Sequence, residues 1–230
     1  MFLLVFIYFL SYFWCAACLD RNLILNQPCS QPTCFTSLLA KLLPGLRTLH
    51  SVNFYLTSRG LAQIANSATQ LTEFNIGYNK LSEESFQHLF CNGPPLGKLK
   101  VYSYRETGLN HVDRLAESLQ FLDIYTDREL GPEAMQAIGR LANLKSLVIA
   151  GGRGSDPQDF FDCVSRGLLL KLCILHLKNP YFVTSENVEI VMMKCPELRE
   201  LCLRGPQLKS LDFSRVFSIS LRVLHFSHAR

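Results

Sequence analysis

The feature of this sequence that most limits its possible folds is a short leucine pattern that returns at a nearly fixed interval. LTEFNI begins at residue 71, and related stretches occur both earlier and later in the chain. The copies begin at residues 20, 46, 71, 96, 119, 144, 172, 198 and 221, the first of them degenerate. Successive copies are 23 to 28 residues apart. Because such regular spacing does not arise by chance, the chain is predicted to be an array of one repeated unit.

Each copy combines the patterns of a short strand and a helix. In L-x-x-L-x-L the last two leucines alternate on a strand and point to one face, whereas the residues between them point to the other face. In the copy at 71, Asn79 is expected to bond the backbone of a turn, and Leu81 to return to the core. SEESFQHLF (82–90) then predicts an amphipathic helix capped by Ser82. Further helices are predicted over 57–68, 131–142 and 185–195.

A strand–turn–helix unit of about 25 residues is a leucine-rich repeat, and it cannot bury its apolar face alone. We therefore predict an α/β leucine-rich-repeat solenoid, a curved right-handed horseshoe arc with a parallel β-sheet on its concave face and helices on its convex face. The repeat domain is predicted to cover 20–230, with about nine repeats, the last incomplete. Within it, 150–160 reads as a polar loop, and 198–220 shows no good helix.

The hydrophobic segment at residues 1–19 differs from the rest of the chain. MFLLVFIYFLSYFWCAAC (1–18) has no charged residue. It could be a secretory signal without the usual basic start, or a membrane anchor of marginal length. A third interpretation is an artefact of the gene model, such as a misplaced start.

The cysteines favour a reducing compartment. There are nine, an odd number, and Cys173, Cys195 and Cys202 fall inside the repeats as isolated thiols. Only Cys29 and Cys34 are spaced as a possible local disulfide. We therefore expect a cytoplasmic protein, or a secreted or membrane-tethered one if the first segment is a working signal.

One copy carries a resemblance to a known group of proteins. Helix-containing repeats of this length are shared by ribonuclease inhibitor, the Nod-like receptors and the F-box/leucine-rich-repeat proteins. KCPELRELCLRG (194–205) resembles the last group most, whose repeats commonly run C-P-x-L-x-x-L-x-L, and 57–76 is similar to its helix-to-strand passage. The resemblance implies substrate recognition for a ubiquitin ligase. Because no F-box is visible and 1–45 offers no room for one, that role is implied by the repeats alone.

The sequence contains no pattern typical of catalysis, cofactor binding or metal binding. GGRG (151–154) lacks the GK[ST] ending of a phosphate loop, and the six histidines are dispersed. The net charge of +4 comes from scattered rather than clustered basic residues, so nucleic-acid binding is not expected. The chain is expected not to be an enzyme.

The surface available for function is therefore the concave face. Tyrosines gather in its first half and basic residues in its second, and both types are enriched where proteins bind each other. The candidate protein-binding residues are Asn75, Tyr78, Lys100, Tyr102, Tyr104, Asp123, Tyr125, His176, Lys178, Arg199, Arg204 and Arg222. An inhibitor of the ribonuclease-inhibitor type is a weaker alternative, because it would need an acidic face against a basic enzyme.

Overall fold

A computed structural model shows one strand for each leucine repeat. It describes residues 3–5, 8–9, 12–13, 16–19, 22–25, 43–51, 56–77, 81–103, 108–127, 130–151, 158–178, 183–204 and 220–227. Four short strands come first: β1 (Leu3–Val5), β2 (Tyr8–Phe9), β3 (Tyr12–Phe13) and β4 (Ala16–Leu19). The repeat strands are β5 (Asn22–Leu25), β6 (Thr48–Ser51), β7 (Glu73–Ile76), β8 (Lys98–Ser103), β9 (Phe121–Thr126), β10 (Ser146–Gly151), β11 (Ile174–Lys178), β12 (Glu200–Arg204) and β13 (Val223–Ser227).

The repeat strands form a parallel sheet in chain order, from β5 to β13. This confirms the predicted architecture, including the strand of the degenerate copy at residue 20. At the first edge of the sheet, β4 pairs with β5 and β1 pairs with β4, both antiparallel. Within the apolar first segment, β1 and β4 therefore extend the sheet, whereas β2 and β3 pair with each other. In the described part of the chain, no helix is both long and apolar enough to span a bilayer.

Helices connect the strands across the other side of the sheet. The α-helices are α1 (Ser58–Ser67), α2 (Glu83–Asn92), α3 (Pro132–Gly139), α4 (Gln158–Ser165) and α5 (Ser185–Lys194). Two 3-10 helices, Leu43–Gly45 and Leu109–Leu115, occupy equivalent places in other repeats. The four predicted helices are confirmed. The fifth, α4, begins inside the stretch expected to be a polar loop, because Phe160, Phe161 and Val164 supply a buried helical stripe.

Local capping explains where the helices begin. The Ser82 side chain accepts a hydrogen bond from the Ser85 backbone N–H at 3.4 Å, as the sequence predicted. Thr57 accepts one from the Gly60 N–H at 3.1 Å. Each cap satisfies a backbone donor that the first helical turn leaves without a partner.

The leucine pattern places the core between sheet and helices. The leucines that open each copy from 46 to 198 are at most 1% exposed. They are Leu46, Leu71, Leu96, Leu119, Leu144, Leu172 and Leu198. From the copy at 71 onward, the backbone N–H of the residue after each of these leucines bonds a carbonyl of the preceding repeat, for example Gly97 to Thr72 at 2.8 Å and Gln120 to Gly97 at 2.8 Å. Stacked repeats thus complete both the apolar core and the backbone hydrogen bonding.

The first glycine of GGRG has a structural role. Gly151 ends β10 with a φ of 94°, and a Cβ atom there would lie 1.8 Å from the Thr126 carbonyl oxygen. Only glycine fits this position without displacing the backbone of β9. Residues 152–154 lie outside the described residues.

Candidate functional site

Three parallel rows of residues make up the concave face. Each row runs across the strands, and from β6 to β12 the rows between them are buried. The middle row contains His50, Asn75, Lys100, Asp123, Val148, His176, Cys202 and His225, and this register confirms the predicted one. The lower row, nearer the amino ends of the strands, contains Thr48, Glu73, Lys98, Phe121, Ser146, Ile174, Glu200 and Val223. The upper row contains Tyr102, Tyr125, Ala150, Lys178 and Arg204.

Two of the predicted tyrosines form a stacked pair in the upper row. The rings of Tyr102 and Tyr125 have centroids 4.7 Å apart and an interplanar angle of 14°. Neighbouring strands bring them together, because the residues are direct partners in the register of β8 and β9. We call this pair the tyrosine stack. Tyr78 and Tyr104, the other predicted tyrosines, lie outside the described residues.

Lys100 and Asp123 of the middle row support the tyrosine stack. The Lys100 ammonium lies 4.8 Å from the Tyr125 ring centroid and 5.3 Å from that of Tyr102, which is cation–π geometry. It also lies 3.7 Å from the Asp123 carboxylate. Burial by itself lowers the pKa of Lys100, but a hydrogen bond that its ammonium donates to Tyr102 and electrostatic interactions with both tyrosines and Asp123 together raise it. Lys100 is therefore held as a cation beside the rings.

A depression lies next to this cluster, centred on Asn75. Its volume is about 160 Å³. The depression forms because the Asn75 side chain is shorter than those of its row neighbours, His50 and Lys100. Among the described residues, the Asn75 side-chain oxygen is buried without a hydrogen-bond partner. The depression is lined by His50, Glu73, Phe74, Asn75, Lys98, Lys100 and Asp123. We call it the Asn75 depression.

The charges around the Asn75 depression are arranged in pairs. Lys98 lies 3.9 Å from Glu73, and both side chains are about half exposed. Burial lowers the pKa of His50, Glu73 opposes this, and the two nearby lysines add to the lowering. The imidazole of His50 is thus held in its neutral form near neutral pH.

A second hollow of about 370 Å³ continues from the depression toward the amino ends of the strands. It shares Glu73 and Lys98 with the depression and is also lined by Thr72, Gly97, Gln120 and Phe121. Phe121 on β9 is 42% exposed. The first half of the face therefore offers an aromatic side chain on each side of the paired charges.

The second half of the face carries the basic candidates. Lys178 and Arg204 are adjacent in the upper row, on β11 and β12. His176 of the middle row bonds Glu200 at 2.9 Å. Arg199 and Arg222 lie one residue before β12 and β13, exposed at the amino-terminal edge of the sheet. Since side chains alternate along a strand, these two arginines stand apart from the three concave rows.

No reactive or metal-binding cluster appears in the described ranges. Within them, no three His, Cys, Asp or Glu side chains are placed to share a metal ion. Cys163, Cys173 and Cys195 are free thiols, and burial raises the pKa of Cys195 to about 12. Such a thiol is a poor nucleophile, because the reactive form is the thiolate. Cys29 and Cys34 lie outside the described residues.

Sequence reasoning missed two features of this surface. It placed Lys100, Asp123 and the tyrosines on one face, but not the contact of one ammonium with two rings. It also missed the Asn75 depression and its lining residues His50, Glu73 and Lys98. The signal for the depression was present in the middle row, where a short asparagine falls between a histidine and a lysine.

No protein-family profile matches the chain. A curated Caenorhabditis elegans protein, "Putative RNA-binding protein EEED8.10", is 28% identical over 180 residues. That match covers 75% of this chain and 22% of the relative, so the chain spans only a small part of the relative's length.

Two solved structures have a similar fold. One is the yeast Rad7 and Elc1 complex, with a TM-score of 0.50 and 17% identity over 75% of this chain and 48% of that one. The other is the TLR13–ssRNA13 complex, with a TM-score of 0.51 and 18% identity over 85% of this chain and 31% of that one. At these identities the likeness concerns the fold alone, and it agrees with the leucine-rich-repeat solenoid described above.

Proposed function

We propose that the chain is a non-catalytic recognition module that binds a protein partner on its concave face. The observation that carries this proposal is the tyrosine stack, held by Lys100 and Asp123 and flanked by the Asn75 depression. Tyrosines fixed in this way lose little conformational entropy on binding, and such residues dominate protein interfaces.

The charge of the face favours a protein over a nucleic acid. The three rows contain four basic residues, Lys98, Lys100, Lys178 and Arg204. They contain three acidic residues, Glu73, Asp123 and Glu200, which gives a formal balance of +1. Nucleic-acid affinity depends mainly on basic residues that neutralise phosphates, and acids interspersed among them oppose it. A protein surface of mixed charge matches this face better.

The test is a double substitution, Tyr102→Ala with Tyr125→Ala, in the full chain purified from cells under native conditions. We expect recovery of the co-purifying protein to fall by about tenfold or more, as for the loss of an interface hot spot. A matched control is Leu168→Ala with Leu170→Ala, which removes two exposed apolar side chains away from the face. Equal recovery with both double variants would contradict the proposal.

RNA is the second candidate partner. The named C. elegans relative and the TLR13–ssRNA13 neighbour favour it, although neither reports on the residues of this face. The expectation that the chain binds no nucleic acid thus gains no support from the comparisons. Measuring nucleic acid in the same purifications distinguishes the two candidate partners. RNA that co-purifies with the wild-type chain but not with the double tyrosine variant would identify RNA as the partner.

We further propose that the recognised protein is a ubiquitin-ligase substrate. The support is the resemblance of 194–205 to F-box/leucine-rich-repeat proteins, together with a fold shared with the Rad7–Elc1 structure. The test is whether the longest native form of the chain co-purifies with a cullin-ligase adaptor and whether the partner of the concave face becomes ubiquitinated. If no adaptor co-purifies and the partner is not ubiquitinated, the ubiquitin-ligase role is contradicted. The proposal that the concave face binds a protein would still stand.

A further inference from the structure

Asn75 is a polar group whose hydrogen bonding is incomplete in the free protein. Its side-chain oxygen is buried, and no described residue donates to it. A buried acceptor without a donor costs free energy, so such groups are rare in native proteins and call for an explanation. Rotation about the last side-chain torsion exchanges the oxygen and the nitrogen, so either atom can face the depression.

Folding of the sheet does not require an asparagine at position 75 in the middle row. Val148 occupies the same row on β10 and is half-buried there without a polar group. An apolar residue would therefore suit the sheet at least as well as Asn75. The Asn75 backbone carbonyl, which accepts a bond from the Ser51 hydroxyl at 3.1 Å, would be present with any side chain. The carboxamide itself thus has no structural role among the described residues.

The lining of the Asn75 depression selects against charged occupants. Two lysines, Lys98 and Lys100, are matched by two carboxylates, Glu73 and Asp123, and His50 is held neutral. An anion entering the depression would approach both carboxylates, and a cation would approach both ammonium groups. A neutral group with its own donor and acceptor avoids either repulsion.

The volume of the depression also limits what it can hold. Beside the adjoining hollow of about 370 Å³, which Asn75 does not line, the depression itself measures about 160 Å³ and is smaller than the sites that take whole small molecules, about 300–1,000 Å³. It has room for one side chain of a larger partner. Asn and Gln side chains are the ones that carry a planar donor–acceptor pair without charge.

We propose that the Asn75 depression is a specificity pocket for an Asn or Gln side chain of an extended segment of the partner protein. The partner's carboxamide would hydrogen-bond the atom of the Asn75 carboxamide that faces the depression, by donating to its oxygen or accepting from its nitrogen. This inference rests on the proposed function, since it names the feature that the concave face recognises.

The geometry of the sheet gives the pocket's position relative to the tyrosine stack. Asn75 is on β7 in the middle row, and Tyr102 is on the adjacent β8 in the upper row. The standard spacings between strands and along a strand place them about 8 Å apart. In an extended peptide, side chains two residues apart are separated by about 7 Å. The partner residue two positions from the carboxamide therefore lies on the tyrosine stack, where an apolar or aromatic side chain fits.

The first test uses small probes of matched shape on the full chain: acetamide, acetate and acetamidinium. Nuclear magnetic resonance of ¹⁵N-labelled protein follows the Asn75 side-chain amide and the backbone amides of β6 to β9. We expect acetamide to cause saturable shifts there and the two ions to cause smaller ones. Shifts from acetate or acetamidinium that equal those from acetamide, or no saturable shift with acetamide, would overturn the inference.

The second test is Asn75→Leu, a change of similar size that removes the carboxamide. The acetamide shifts of β6 to β9 should disappear. The melting temperature should rise by about 2–4 °C, because a buried polar group without a partner is removed. The control is Val148→Ala, which alters the same row outside the pocket and should leave the acetamide shifts in place. A lower melting temperature in Asn75→Leu would show that Asn75 is bonded in solution and would overturn the premise.

The third test separates this inference from the proposed function, by selecting random displayed peptides on the full chain. We expect enrichment of Asn or Gln two positions from an apolar or aromatic residue. Asn75→Leu should weaken binding of such a peptide by about tenfold, typical of a lost buried hydrogen-bonding pair. Peptides that bind through the tyrosines with no carboxamide preference would overturn only the pocket. RNA oligonucleotides that bind where no peptide does would overturn both.

Discussion

The two halves of the concave face are built on the same buried leucines but present different surfaces. From β6 to β9, the face has two charge pairs, the tyrosine stack and the Asn75 depression. From β11 to β13, it has the His176–Glu200 pair, then Lys178 and Arg204 in the upper row. The core positions repeat because stacking requires them, whereas the exposed rows are free to vary. Specific recognition is therefore expected from the first half, and general electrostatic attraction from the second.

The centre of the sheet and its last strand also differ in how well the core positions are covered. Leu147 on β10 lies between two neighbouring strands and is fully buried. Leu224 holds the same repeat position on β13, the last strand in the sheet order, and is 39% exposed. The same residue type thus contributes differently to stability according to its place in the array.

The largest loss of stability is expected from truncating a leucine in the core. Leu147→Ala should lower the free energy of unfolding by about 2–5 kcal/mol, because it leaves a cavity between tightly packed repeats. Leu224→Ala should cost less than about 1.5 kcal/mol, since much of that side chain already contacts water. Urea unfolding followed by circular dichroism measures both. Equal losses would mean that β13 is as well packed as the centre of the array.

An intermediate effect is expected from the support of the tyrosine stack. Lys100→Met removes a cation from two rings and from Asp123, and should cost about 1 kcal/mol. Lys98→Met, on the same strand, breaks only a half-exposed pair and should cost less than about 0.5 kcal/mol. Near-ultraviolet circular dichroism should change only for Lys100→Met, because only Lys100 contacts the rings. An unchanged spectrum would argue that the tyrosines stack without the lysine.

The smallest effect concerns the pH dependence of stability. In the folded chain the pKa of His50 is below the ordinary value of about 6.5, because of burial and the nearby lysines. The unfolded chain therefore binds more protons in acid. The contribution of His50 is intact above about pH 6.5 and is lost as the pH falls toward the folded-state pKa. His50→Gln should unfold with a weaker acid dependence than the wild type. His225→Gln, at an exposed position of the same row, is the control, and equal slopes for the wild type and His50→Gln would contradict the assignment.

The fold followed from the sequence because its main signal is local and repeated. Apolar residues equivalent to Leu71, Phe74 and Ile76 return in every copy from 96 to 221, and these three are buried as expected. The helix of the copy at 144 was missed, since the polar stretch 150–160 hides the start of α4. The helix forms there because Phe160 and Phe161 bury an apolar stripe, although the residues before them are polar.

For the candidate site, the sequence predicted the row in which each residue lies but not the contacts between side chains. Row membership follows from repeat position, so Lys100, Asp123 and the tyrosines were correctly placed in their rows. Which side chains contact each other depends on rotamers and burial, which repeat position does not determine. The contact of the Lys100 ammonium with two rings and the unpartnered Asn75 oxygen depend on rotamers and burial in this way.

Photo-crosslinking from the two sides of the solenoid tests directly whether the concave face binds a protein. A photoreactive amino acid replaces Val148, in the middle concave row, or Gln136, on the convex helix α3. After irradiation in cells, we expect a protein adduct from position 148 that depends on Tyr102 and Tyr125, and no matching adduct from position 136. An adduct of equal yield from both positions, or one from position 148 that contains only RNA, would contradict this expectation.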